Sequence, residues 1–191
     1  MTELGVVLPA AWVRVPLDQA AFEAFVDAQL ADVPVDAPWR RPLEQTLRRF
    51  HAACRDAGAV LAAVLVLADA DEPVVATCTL ATLTQAALGT ALPLTAHTVA
   101  AALASAGHTP QLVDLPCARA VRIARQEGST VAGVDAPAAS VEHTLVPFDD
   151  GRRVAVLTCG TPSTGYTDAL QALFAEVARS LTVPSPARGV A

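Results

Sequence analysis

The segment AVLAAVLVL, from Ala59 to Leu67, decides the fold class of this 191-residue chain. The run is apolar and does not alternate, so a strand formed by it must be covered on both faces. A polar turn at 69–73 follows, and the segment VVATCTLATL, from Val74 to Leu83, returns as a second strand. The two segments predict a hairpin, with Ala59–Leu67 central in a sheet that carries helices on each side.

Helices are predicted from apolar residues that recur with helical spacing. Asp18 lies at an N-cap position ahead of the first of them, and Thr95 lies at the N-cap position of the third. Gly58 and Gly107 follow the second and third helices, where a residue with positive φ commonly ends a helix. The predicted helical segments are 22–33, 39–54, 94–106 and 166–181.

The remaining strands complete an antiparallel pattern. Residues 141–146 and 153–158 flank an Asp-Gly turn at Asp150 and Gly151, which is typical of a hairpin. The other predicted strands are 6–15, 111–115 and 118–125. Hairpins outnumber β-α-β units, so the sequence predicts one α+β domain over residues 1–183, with a mainly antiparallel sheet and helices packed on both faces. Residues 184–191 are predicted to be a frayed tail.

Composition and charge exclude several classes of protein. Hydrophobic residues make up 53% and charged residues only 17% of the chain, which excludes intrinsic disorder. The net charge of −6 argues against a nucleic acid or an anionic lipid surface as the main partner. The chain contains no lysine, so it cannot use Schiff-base chemistry or a P-loop lysine.

The compartment is predicted from the N-terminal sequence and the cysteines. Met1 to Gly5 carries no positive region before an apolar stretch, so a secretory signal is not expected. The apolar run Ala57 to Ala68 is far shorter than the roughly 20 residues of a spanning helix, so no membrane span is expected. The cysteines are widely separated, which favours reduced thiols and a cytoplasmic protein. They are Cys54, Cys78, Cys117 and Cys159.

The order of elements resembles that of a known superfamily. The opening LPAAWVRV, Leu8 to Val15, the central hairpin, and the ending VPFDDGRRVAVLTCGTP, Val146 to Pro162, before a helix are similar to the PsbP-like superfamily. This α/β/α sandwich is shared by the PsbP photosystem subunit and by a Ran-binding nuclear transport factor. The resemblance implies a binding or assembly protein and no enzymatic activity. No functional residue of the superfamily can be matched to a position of this chain.

Candidate chemistry centres on Cys159, which the sequence places between a strand end and a helix start. A thiol at a helix N-terminus has a lowered pKa, so a thiol enzyme is one possible function. The alternative is a strand-end cysteine before an ordinary turn, which we favour. His51 and Cys54 share one helix, but two residues are too few for a structural zinc site. No metal or other cofactor is predicted.

The predicted contact surface is the third helix with the arginine-bearing strands. No charged residue occurs from Leu94 to Gly107, so the helix must be covered either by the predicted loop 128–139 or by a partner. Arginines on adjoining strands could recognise an acidic surface, or they could be solvated residues that protect a sheet edge. The candidate interaction residues are Val99, Ala101, Leu103, Arg119, Arg122, Arg125, Arg152 and Arg153.

Three functions follow from these patterns. The leading hypothesis is a non-enzymatic adaptor that binds a protein partner or a second copy of itself, with a homodimer as one form. The alternative is a small-molecule-binding domain with its ligand between the sheet and the helices. The third is the thiol enzyme that uses Cys159.

Overall fold

The computed structural model describes residues 3–31, 33–67, 73–131 and 134–184. Seven strands form one sheet in which every neighbouring pair is antiparallel, in the order β1-β2-β3-β7-β6-β5-β4. The strands are β1 (Val13–Arg14), β2 (Leu61–Leu67), β3 (Val74–Thr84), β4 (Gln111–Asp114), β5 (Arg119–Val131), β6 (Val134–Pro147) and β7 (Arg153–Thr161). The predicted α+β class and antiparallel sheet are confirmed.

Four α-helices and one 3-10 helix pack on this sheet within the described residues. They are α1 (Gln19–Leu30), α2 (Arg40–Asp56), α3 (Ala96–Ser105), η1 (Thr164–Tyr166) and α4 (Thr167–Arg179). Both predicted N-caps are confirmed. The Asp18 carboxylate accepts hydrogen bonds from the first turn of α1, and Thr95 forms a capping box with Thr98.

Side chains alternate between the two faces of each strand, and different helices cover the two faces. On the first face, α4 packs its Phe174 with Leu80 and Leu157 of the central strands. On the second face, α1 and α2 pack with Val64 of β2. The fold is therefore a sheet with helices on both sides, as the sequence predicts. We call the two sides the α4 face and the α1–α3 face.

The third cluster of apolar side chains lies on the α1–α3 face, at the opposite end of the sheet from α1 and α2. There α3 packs with Val121, Leu145 and Val154 of strands β5, β6 and β7. A buried side chain of this size stabilises the fold by about 1.5–3 kcal/mol. Helices α1 and α2 pack on β2 and β3, and α3 packs on β5, β6 and β7, so the helices cover different parts of this face.

Three features of the fold differ from their sequence predictions. The first strand was predicted over 6–15 but spans only Val13–Arg14, because prolines on both sides, Pro9 and Pro16, lack the N–H donor that a longer ladder needs. Strand β2 is covered on both faces as predicted, but it lies next to the edge strand, and β7 is central. Within the predicted loop 128–139, residues 128–131 belong to β5 and residues 134–139 to β6. The predicted turn at 69–73 and the tail lie, apart from Pro73 and Pro184, outside the described residues.

Candidate functional site

A strip of half-buried residues crosses the middle of the α1–α3 face, between the cluster under α2 and the cluster under α3. The residues lie on β3, β7 and β6, near the centre of the seven-stranded sheet. They are Thr77, Thr79, Val141, His143, Thr158 and Gly160. We call this strip the central groove.

The floor of the central groove carries hydrogen-bonding groups. Thr79, Thr158 and His143 are direct neighbours across strands β3, β7 and β6. His143 Nδ1 lies 2.9 Å from Thr158 Oγ1, and Thr77 Oγ1 donates to the Gly160 carbonyl at 3.3 Å. Hydroxyl groups can both donate and accept, so this row can serve either kind of ligand group.

Gly160 places no side chain at the middle of the groove floor. The residue lies within central strand β7, between Thr77 and Val141 of the neighbouring strands, and its φ is not positive. A Cβ at this position would meet ordinary contacts only, at 3.5 Å or more. A glycine inside a strand costs roughly 0.5–1 kcal/mol relative to alanine. Neither backbone conformation nor packing requires this glycine, and such a position commonly marks the close approach of a ligand.

A cavity of about 330 Å³ lies between α2, η1 and the ends of β3 and β7. Its lining includes Val75, which is followed on the same face of β3 by Thr77, so the cavity adjoins one end of the groove. The lining residues are Trp39, Pro42, Leu43, Thr46, Pro73, Val75, Pro162, Ser163, Gly165 and Tyr166. None of these ten residues carries a formal charge at neutral pH. We call this cavity the Trp39 pocket.

Local hydrogen bonds fix the wall of the Trp39 pocket next to β3. The Val75 N–H donates to Ser163 Oγ at 3.0 Å, and Thr161 Oγ1 donates to the Val75 carbonyl at 2.6 Å. These bonds hold the end of β7 against the start of β3 before the chain turns into η1. Tyr166, which η1 positions at the rim, is 46% exposed, so an aromatic ring is accessible there.

A larger cavity, about 580 Å³, lies between α1 and α2 but has a different character. Both arginines in its lining already bond to neighbouring groups. Arg48 pairs with Glu23 at 2.8 Å, and Arg55 donates to Gln19 at 3.0 Å. The Arg48 guanidinium lowers the pKa of Glu23. Groups that already satisfy one another offer little to a ligand, so we assign the site to the central groove and the Trp39 pocket.

The candidate interaction residues on α3 differ in exposure. Val99 is 2% exposed and packs in the core under α3, so it cannot contact a partner. Leu103 is half-buried against the same cluster, and Ala101 is exposed. Helix α3 is thus covered on one side by the sheet itself, because its larger apolar residues share one face and alanines occupy the other.

The candidate arginines do not converge on one site. Arg119 pairs with Asp114 at 2.8 Å, and Arg153 pairs with Asp150 at 2.7 Å. Strand register places Arg119 and Arg125 on the α1–α3 face and Arg122 on the α4 face, as their spacing predicts. Arg152 is exposed in the turn between β6 and β7. Arg125 lies opposite Val141 and is the member of this set nearest to the floor of the central groove.

Cys159 lies within β7, two residues before the strand ends at Thr161, and is 2% exposed. This position agrees with the strand-end cysteine favoured from sequence and not with a thiol at a helix N-terminus. A hydrogen bond with Cys78, burial and the nearby Glu142 all raise the pKa of Cys159. The thiol is therefore held protonated, which removes the basis for a nucleophilic role.

The histidine and cysteine of α2 are structural as well. His51 is 3% exposed and stacks on Phe22 with ring centroids 3.8 Å apart. Burial raises the pKa of Cys54 to about 12. Within the ranges that the structure describes, no three metal-ligating side chains come together, and no helix is long and apolar enough to cross a membrane.

Comparison with known proteins finds structural similarity without sequence similarity. No known family description matches the sequence, and no curated protein matches it. Among solved structures the chain is similar to LpqN of Mycobacterium tuberculosis, a protein described as involved in cell envelope biogenesis. The identity is 13%, the TM-score is 0.45, and the match covers 97% of this chain and 85% of the other. A similarity this low identifies neither ligand nor partner.

The sequence pattern of two strands indicates the floor of the central groove. In β3 and β7 the polar residues Thr77, Thr79 and Thr158 alternate with buried ones, which indicates a face that is in contact with solvent. Trp39 is the first residue of the predicted helical segment 39–54. Its place at the N-cap of α2, beside η1, depends on contacts distant in sequence.

Proposed function

We propose that this chain is a non-enzymatic binding protein that holds a ligand between its sheet and helices α2 and α3. The observation that carries the proposal is the Trp39 pocket, which adjoins the half-buried Thr77 through Val75 on the same face of β3. An apolar cavity that contains a few convergent polar groups is the usual form of a ligand site. This is the alternative that the sequence left open, and the geometry favours it over the adaptor hypothesis.

The chemistry of the lining supports a non-catalytic role. Apart from Tyr166, none of the described residues that line the Trp39 pocket has a titratable side chain. His143, the titratable group of the groove floor, lies in hydrogen-bond contact with Thr158. The lining thus offers contact area and hydrogen bonds more than groups able to exchange protons with a substrate.

Native mass spectrometry of the purified protein, compared with its denatured mass, tests the proposal. The expected result is a monomer or dimer that carries a discrete non-covalent mass, which is reduced in Trp39→Ala. Trp39 is half-buried at the pocket wall, so this variant removes ligand contacts and leaves the sheet intact. A bare mass for the wild-type protein, together with no binding of a neutral aromatic probe, would overturn the proposal.

A second candidate function is self-association or adaptor binding through the outer side of α3. The observation that favours it is the lack of charge on an exposed helix surface that includes Ala101. In this case Ala101→Asp should change the oligomeric state or the set of bound partners and leave the fold cooperative. An unchanged native mass spectrum for Ala101→Asp would dismiss this candidate.

We also propose a cytoplasmic location and membership of the PsbP-like superfamily. The four free cysteines support the location, since thiols persist in a reducing compartment. The single antiparallel sheet with helices on both faces supports the membership. Immunoblots of cell fractions test the first point: most of the protein should appear in the cytoplasmic fraction, and recovery with the envelope would overturn it.

A further inference from the structure

We propose that the ligand of the central groove is a neutral, elongated small molecule with an apolar ring at one end, and that it lies directly on the backbone of Gly160. This inference rests on the proposed function and adds the chemical class of the ligand and its position.

The lack of charge among the described residues that line the Trp39 pocket favours a neutral ligand. None of its ten lining residues is acidic or basic. A charged group placed there would lose its hydration without gaining a counter-charge, which is strongly unfavourable. Arg125 lies two strands from Gly160, on the far side of Val141, which corresponds to about 10 Å. It is therefore too far away to neutralise an anion in the pocket.

The side chains around the Trp39 pocket indicate that the ligand contains a ring. Trp39 and Tyr166 supply two aromatic surfaces, and three prolines, Pro42, Pro73 and Pro162, supply rigid apolar ones. Flat aromatic rings contribute most of their binding energy by packing against such surfaces. The volume of about 330 Å³ is at the lower end of the range for ligand cavities, so one ring system with a short extension fills it.

The lack of a side chain at Gly160 indicates that the ligand extends from the pocket along the groove. Pro162 at the pocket and Thr158 on the floor are four residues apart along the chain, which corresponds to about 13 Å in an extended strand. Gly160 lies midway, and here the floor is backbone rather than side chain. A ligand that passes over Gly160 reaches the hydroxyls of Thr77 and Thr158. The Thr77 hydroxyl already donates to the Gly160 carbonyl, so it can accept a hydrogen bond from a hydroxyl group at the second end of the ligand.

A pair of fluorescent probes tests both parts of the inference. N-phenyl-1-naphthylamine is neutral and elongated, and 1-anilinonaphthalene-8-sulfonate has the same ring system with an added anionic group. The neutral probe should bind at least about tenfold more tightly than the anionic one. Equal affinity, or tighter binding of the sulfonate, would overturn the inference that the site selects a neutral ligand.

Variants at Gly160 test the position of the ligand. Gly160→Leu places a side chain on the groove floor and should weaken binding of the neutral probe by about tenfold. Gly160→Ala should weaken its binding by about threefold. The alanine variant keeps ordinary contacts around its Cβ, so it stays informative if the leucine variant does not fold. Ala124→Leu is the matched control, because Ala124 is exposed on the α4 face of the same sheet. It should leave the affinity within about twofold.

The outcomes separate this inference from the proposed function. Binding that is lost in Trp39→Ala but unchanged in both Gly160 variants would retain the pocket and overturn contact with Gly160. Failure of both probes, together with a bare native mass, would overturn the proposed function itself. Binding that weakens equally in Gly160→Leu and Ala124→Leu would indicate a general effect on the sheet, and this too would overturn the contact.

Discussion

Cys78 and Cys159 stand opposite each other in the β3–β7 ladder, and neither is more than 2% exposed. Both lie on the α4 face, in the same cluster of buried apolar residues. The hydrogen bond between them is the largest of the effects that raise the pKa of Cys159. This pair is thus part of the core, and its chemistry differs from that of a thiol at a helix end.

The burial of these thiols predicts the order in which the cysteines react. Alkylation by iodoacetamide at neutral pH should modify Cys117 first, because Cys117 is only half-buried. Cys54, Cys78 and Cys159 should react slowly, since each is buried and the reactive species is the thiolate. Peptide mass spectrometry against time measures the order. In urea all four should react at similar rates, and fast native labelling of Cys159 would contradict the structure.

Glu142 predicts how stability changes with pH. Burial raises the pKa of its carboxyl, and the Arg122 guanidinium opposes this only in part. The folded state therefore favours the neutral form. The stability associated with neutral Glu142 is complete below about pH 4.3, the ordinary pKa of glutamate, and is lost as the pH rises through the raised value. Folding should be weakened by this group at neutral and alkaline pH.

Glu142→Gln should consequently stabilise the protein more at pH 8 than at pH 4. The measurement is the free energy of unfolding from urea denaturation at the two pH values. Glu3→Gln, at an exposed position near the N-terminus, is the matched control and should show no such difference. An effect of Glu142→Gln that is equal at both pH values, or larger at pH 4, would contradict the raised pKa.

The parts of the fold that depend on local sequence were predictable. The β6–β7 hairpin follows from its turn, where Asp150 Oδ1 accepts from the Arg152 N–H at 2.8 Å and Gly151 takes a positive φ of 63°. Helix α2 follows from apolar residues at helical spacing, and the antiparallel sheet follows from short connections between strands. These features are specified within segments of a few residues.

The candidate site could not be predicted in the same way, because it depends on how distant segments meet. Strand β3 pairs with β7, more than 70 residues later, and this pairing alone places Thr77 beside Gly160. It also places Cys159 in the middle of the sheet. The Trp39 pocket combines the start of α2 with η1, which lies more than 120 residues further along. Hydrophobic periodicity carries no information about such pairings, so it indicated α3 instead.

The capping box of α3 gives a prediction about a wall of the groove. Thr95 Oγ1 accepts from the Thr98 N–H at 3.2 Å, and Thr98 Oγ1 accepts from the Thr95 N–H at 2.8 Å. Thr95→Ala should destabilise the protein by about 1 kcal/mol, which urea denaturation can measure. Thr109→Ala, at an exposed position after the helix, should change stability by less than about 0.5 kcal/mol. Equal effects would mean that the cap does not stabilise α3.

The stacked pair of His51 and Phe22 predicts a large difference between two histidines. Their rings are nearly parallel, at 3° with centroids 3.8 Å apart, and His51 Nε2 lies 3.3 Å from the Leu17 carbonyl oxygen. His51→Ala removes this packing and leaves a buried carbonyl without its donor. The variant should lose about 2 kcal/mol of stability.

His97→Ala is the control for this prediction, because His97 is exposed on helix α3. Urea denaturation should give a change below about 0.5 kcal/mol for it. A second comparison separates packing from metal binding: added Zn²⁺ should not raise the stability of the wild-type protein, since His51 is already stacked and hydrogen-bonded inside the fold. Stabilisation by Zn²⁺ that disappears in His51→Ala would show that His51 is a ligand, and would reverse its assignment as a packing residue.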